Sequence, residues 1–90
     1  MTKRDKLEMT NAIALHIVSP EGTLVETEVS AVTLPGSLAP FEVLKDHAPL
    51  ISSLDQGDIV YVNESGEQRL PIASGFVEVR DNQVEVCVEV

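Results

Sequence analysis

Turn-forming residues cut this chain at intervals of about 8–12 residues, and that spacing restricts its fold more than any other feature. Pro20-Glu21-Gly22, Pro35-Gly36, Asp55-Gln56-Gly57-Asp58, Asn63-Glu64-Ser65-Gly66 and Asp81-Asn82 each interrupt an apolar stretch. The pieces between them are too short for ordinary helices and rich in Val, Ile, Leu and Thr, so they read as strands. Strands are expected over residues 15–18, 23–28, 31–34, 41–44, 50–54, 59–62, 69–72, 75–79 and 84–90. Pro35-Gly36 has the composition of a type II turn. Gly66 suits a hairpin turn that needs positive φ. Pro71 cannot donate to a ladder, so its strand is expected at an edge or a bulge.

The last segment shows the logic most clearly. In VEVCVEV, Val84, Val86, Val88 and Val90 fall on one face, because side chains alternate across a strand. Glu85 and Glu89 then face water with Cys87 between them, as on an edge strand guarded by charge. The fold class predicted is all-β, a small antiparallel β-sandwich or flattened barrel of about eight to ten short strands. Residues 1–11 are polar and aperiodic and read as a flexible tail, with Met9 an alternative start. Residues 12–90 form a single domain, with no linker, internal repeat or low-complexity tract. Ninety residues bury roughly 60–70% of their unfolded surface, enough for one modest core.

Charge narrows the function. The net charge is −9, and 13 of the 15 acidic residues lie beyond Met9 against three of the six basic ones. Such a field repels phosphate backbones and anionic lipid, which argues against nucleic acid and favours a basic or balanced protein partner. The single cysteine forms no intrachain disulfide and fits a reducing compartment. No apolar run approaches the roughly 20 residues that span a bilayer. The reading is a soluble, cytoplasm-facing protein.

The chemistry-bearing residues have plain readings. Asp46-His47 resembles a base with its orienter, but adjacent strand residues point apart and no nucleophile is set beside them except Ser52 and Ser53. His16 belongs on a sheet surface. Two histidines and one cysteine in separate strands make no metal motif, and the scattered glycines make no phosphate cradle. Glu26 and Glu28 read as a solvated strand face rather than a calcium loop. Of the three aromatics, Phe41, Tyr61 and Phe76, at least two are expected inside, which disfavours a carbohydrate platform. From the residues alone the chain is an acidic, non-catalytic all-β module acting through a protein surface. A self-assembling structural protein is a further possibility.

A series of landmarks adds to this. LHIVSPEG, VSAVTLPG, HAPLISSLDQGDI and ASGFVEVRDNQVEVCVE, in that order, resemble the N-terminal β-sandwich of the epsilon subunit of rotary F-type ATP synthases. The resemblance implies a rotor subunit that binds the gamma subunit of the central stalk and the polar loops of the membrane c-ring, without catalysis. It implies gamma contacts at Ser19, His47, Ser52, Ser74 and Glu78, and c-ring contacts at Leu38, Ala39, Pro40 and Glu42. It also implies a peripheral location on the cytoplasmic face of a bacterial inner membrane, with no cofactor, no metal and no direct lipid insertion. GSLAPFEVL departs from the glycine-rich family loop, which bears on the ring contact. Ser74-Gly75 replaces paired family glycines, so a costly positive φ is expected at Ser74. The chain ends at Val90, before the family's helical domain, so ATP binding and helix-mediated inhibition are not expected. The alternative is an acidic protein- or carbohydrate-binding sandwich outside that family.

Overall fold

Nine strands appear in the computed structural model, which describes residues 12–90. They are β1 (Ile13–Ser19), β2 (Gly22–Val29), β3 (Ala31–Leu34), β4 (Phe41–Val43), β5 (Leu50–Leu54), β6 (Gly57–Asn63), β7 (Gly66–Ile72), β8 (Ser74–Arg80) and β9 (Gln83–Glu89). No helix occurs among the described residues. The expected tail over 1–11 and the alternative start at Met9 lie outside them.

The strands form two sheets, ordered β2-β1-β9-β8-β5 and β4-β3-β6-β7. Alternation decides which side chains meet between them. Ile13, Leu15 and Ile17 from β1 join Val84, Val86 and Val88 from β9 and Val77 and Val79 from β8. Val32, Leu34, Val43, Ile59 and Ile72 close on them from the other sheet. Each fully buried side chain of this size stabilises the fold by about 1.5–3 kcal/mol. No charged or polar residue among those described is buried, so this gain is not offset by ion desolvation.

The sandwich is partly closed into a flattened barrel. The chain passes from β2 into β3 at Ser30, whose N–H donates to Val62 O (2.9 Å), and from β7 into β8 at Ala73, whose N–H donates to Glu89 O (2.7 Å). Gly36 bridges Leu54, tying the end of β3 to the free edge of β5. Pro71 sits on the edge strand β7, as its missing N–H requires.

Several expectations change. The β1–β9 pair is parallel while every other pair is antiparallel, because the first and last strands both run from the end that carries the Asp81-Asn82 turn. That pairing makes β9 an interior strand rather than an edge, so Glu85 and Glu89 are exposed on a sheet face. Val90 lies beyond β9 and is 69% exposed, outside the core. Gly36 does not take positive φ, so the Pro35-Gly36 corner is not a type II turn. Its N–H donates two residues back to Leu34 O (2.9 Å). Glycine is needed there for space: a Cβ would sit 2.6 Å from Ala39 O and 2.9 Å from the Phe41 ring. Ser74 is likewise free of positive φ and starts β8 in extended backbone. Gly66 takes φ 104°, as the hairpin requires.

Candidate functional site

The outward face of the five-stranded sheet can be laid out from strand register, because cross-strand partners point to the same side. One row runs Glu26, His16, Glu85, Glu78 and Ile51 across β2, β1, β9, β8 and β5. The next runs Thr23, Val18, Cys87, Phe76 and Ser53. The first row is a band of carboxylates. His16 lies within it, its Nδ1–H donating to Glu85 Oε1 (3.0 Å), and Glu78 pairs with Arg80 Nε (3.3 Å). The second row is apolar at its centre. Phe76 is 58% exposed and Ile51 is 77% exposed, so the sheet presents one oily side chain beside the band and another at its end. Phe41 and Tyr61 are partly buried and pack against the core, while Phe76 is the aromatic left exposed.

At one end of this face an open groove of about 600 Å³ is lined by Val18, Pro20, Asp55, Phe76, Cys87 and Glu89, among others. The 35–40 loop flanks it. Ser37 N–H donates to Ser53 O (3.0 Å) and Asp55 N–H to Pro35 O (2.8 Å). Across them Ser53 Oγ donates to Ser37 Oγ (2.9 Å), which donates to Asp55 Oδ1 (2.9 Å). This ladder fixes the base of the loop and leaves Leu38, Ala39 and Pro40 exposed, Leu38 completely.

The opposite end, roughly 20 Å away along seven-residue strands, carries the Asp46-His47 segment. Asp46 is not a histidine orienter. Its carboxylate accepts from Asn82 Nδ2 (3.2 Å), and its N–H donates to Asn82 Oδ1 (2.6 Å). The hydrogen bond from Asn82 and the nearby Lys45 ammonium hold the Asp46 carboxyl below the usual aspartate range. His47 Nδ1 donates to Ala48 O (2.7 Å). The hydroxyls of Ser52 and Ser53 bond elsewhere, to Ser53 O (3.0 Å) and Ser37 Oγ (2.9 Å), and not to this pair.

The residues singled out in the sequence therefore fall into separate places. Ser19 and Ser74 border the groove, and Glu78 lies mid-face in the acidic row. Ser52 points inward opposite Val77, and His47 occupies the far end. Leu38, Ala39 and Pro40 form the exposed loop tip, while Glu42 projects from the outer face of the smaller sheet opposite Thr33. Ser19 Oγ also donates to Glu21 Oε1 (3.2 Å) and accepts from Glu21 N–H (3.2 Å) within the β1–β2 turn. Phe76, Ile51 and Asn82 were missed. The first was legible: a two-residue turn at Asp81-Asn82 sets Phe76 opposite Cys87 on the charged side of β9. No group of three or more His, Cys, Asp or Glu side chains among the described residues is placed to hold a metal.

Comparison with known proteins adds an independent line. Residues 12–90 match the family described as ATP synthase, Delta/Epsilon chain, beta-sandwich domain. An ATP synthase epsilon chain of Desulfitobacterium hafniense is 38% identical over 81 residues, covering 90% of this chain and 61% of that protein. One from a Sulfurovum species is 44% identical over 75 residues, covering 82% of this chain and 58% of that protein. The chain thus spans about three fifths of the length of these relatives. A chain in a Euglena gracilis mitochondrial ATP synthase structure (OSCP/F1/c-ring) has the same fold, with a TM-score of 0.78, 24% identity and coverage of 86% of this chain and 50% of that one.

Proposed function

Because the chain belongs to the family of ATP synthase delta/epsilon-chain β-sandwich domains, we propose that it is a non-catalytic central-stalk subunit of an F-type ATP synthase. In this reading the outer face of the five-stranded sheet binds the gamma subunit and the exposed Leu38-Ala39-Pro40 tip meets the polar loops of the c-ring. The subunit turns with both and helps couple proton flow to ATP synthesis, from the cytoplasmic side of a bacterial membrane. One observation carries the reading beyond family membership. A rigid sheet face holds exposed Phe76 and Ile51 against a band of carboxylates, which suits a partner surface with apolar groups flanked by lysine or arginine. A face of this kind supplies area and register, and no bond chemistry is required of it.

The test is co-elution with separately expressed gamma subunit on a sizing column. A stable one-to-one complex that Phe76→Asp weakens by at least about tenfold supports the proposal. Two folded proteins that elute apart would end it and leave a binding module for some other partner.

A further inference from the structure

Three segments distant in sequence meet at the side chain and backbone of Asn82. Its carboxamide oxygen accepts from Asp46 N–H (2.6 Å), its carboxamide nitrogen donates to Asp46 Oδ1 (3.2 Å), and its backbone oxygen accepts from Ala14 N–H (2.9 Å). The bonds to Asp46 run in both directions: Asn82 uses both ends of its carboxamide, whereas Asp46 gives its backbone N–H and a carboxylate oxygen, so the side chain at 82 must both donate and accept while that at 46 needs only to accept. Asp46 sits at φ 68° and Asn82 at φ 59°, both in the left-handed region, where Asp and Asn are tolerated but other side chains are strained. His47 follows directly, its N–H donating to Leu44 O (3.1 Å) and closing the turn. The conformation that presents His47 is therefore set by a contact 36 residues away in sequence.

We propose that Asn82 and Asp46 are positioning residues whose reciprocal clasp fixes the 44–49 segment in the shape that the stalk subunit binds. This rests on the reading that the segment, through His47, is part of the stalk contact. The clasp works by charge and geometry together. Asp46 Oδ1 faces an N–H of Asn82, and Lys45 Nζ stands 3.4 Å from Oδ2. Arg80 and Asp81 precede Asn82 on the facing turn, with Arg80 already paired to Glu78 (3.3 Å). Asn82→Asp would keep the acceptor for Asp46 N–H but set two carboxylates against each other. The double change Asp46→Asn with Asn82→Asp would restore one donor and one acceptor in swapped places.

The experiment uses the full chain and the gamma subunit. Amide exchange over residues 44–49 and gamma affinity are measured for the wild type, Asn82→Asp, the swapped pair and His47→Ala. In Asn82→Asp, exchange should speed up and affinity should fall on the order of tenfold at neutral pH. Both should return in the swapped pair. In Asn82→Asp alone they should return partly as the pH falls to about 4–5, where one of two facing carboxyls takes a proton. The swapped pair at the same pH controls for every other carboxylate. The proposal is overturned if Asn82→Asp changes neither quantity. It is equally overturned by a loss that neither the swap nor acid repairs, since that is general damage. If His47→Ala weakens binding and Asn82→Asp does not, the contact stands and the clasp falls. If neither does while the wild type binds, the segment is no contact and the proposal falls. A wild type that binds no gamma subunit defeats the functional reading itself, visible before any variant is compared.

Discussion

Asp46, Asp81 and Asn82 are the described non-glycine residues with positive φ, and each has a short polar side chain that tolerates that backbone. Asp81 and Asn82 together make the β8–β9 turn, the twist-compatible kind with both central residues left-handed. Asp46 needs its clasp, and the clasp gives it an acid-sensitive contribution. Its folded pKa lies below the unfolded one, so the unfolded chain binds the proton more readily. The stabilisation is therefore present above the ordinary aspartate pKa of about 3.9 and lost as pH falls through the lower folded value. Asp46→Asn should be less stable than the wild type near neutrality, with the gap closing below about pH 4; thermal melts across that range check it. Gly75 shows a different constraint. Its φ is not positive, yet a Cβ there would lie 2.4 Å from Cys87 O on β9. Gly75→Ala should cost about 1–3 kcal/mol, read as a lower urea midpoint, because backbone must move to admit it.

Among the elements, β1 and β9 hold the larger sheet together. Ile17 lies opposite Val86 on β9 and Val25 on β2 and is fully buried. Ile17→Ala should lower stability by about 2–5 kcal/mol, measured by denaturant unfolding, with the strand content of the folded protein unchanged. The strands themselves were legible in the sequence because period-2 alternation is local: Val84, Val86 and Val88 read as a buried face and are one. The turn at residues 63–66 was legible too, and it pairs Asn63 with Gly66, whereas the register shift in β1–β2 between Ile17 and Val18 was not. The β1–β9 pairing was not, because strands separated by the whole chain carry no mutual signal and an exposed Glu marks an outward face as well as an edge. The Asp46–Asn82 clasp was hidden for the same reason. Asp46 beside His47 suggested a catalytic pair, whereas its partner lies across the end of the sandwich. At Gly36 the local signal misled: Pro-Gly suggested a turn type, but the glycine serves close packing against Ala39 and Phe41.

Taken as a whole molecule, the chain sets a charged, partly oily face between two anchored loops at opposite ends of one rigid sheet. Its net charge of −9 is spread so that the face carries Glu26, Glu78 and Glu85 in one row. Exposed charges of this kind act mainly on encounter, whereas apolar groups that pack against a partner govern how long a complex lasts. The two contributions can be separated by salt. If the outer face meets a basic stalk surface, raising ionic strength from about 0.05 to 0.5 M shortens the Debye length severalfold and should slow association by at least about tenfold. Dissociation should change little, since Phe76 and Ile51 are uncharged. Glu78→Gln with Glu85→Gln should flatten the salt dependence of association, and Phe76→Ala should speed dissociation while leaving the salt dependence intact. Stopped-flow association and surface-based dissociation measure the two separately. A salt effect confined to dissociation would mean that the carboxylate row is buried against its partner rather than steering it, and the proposed division of labour across the face would be wrong.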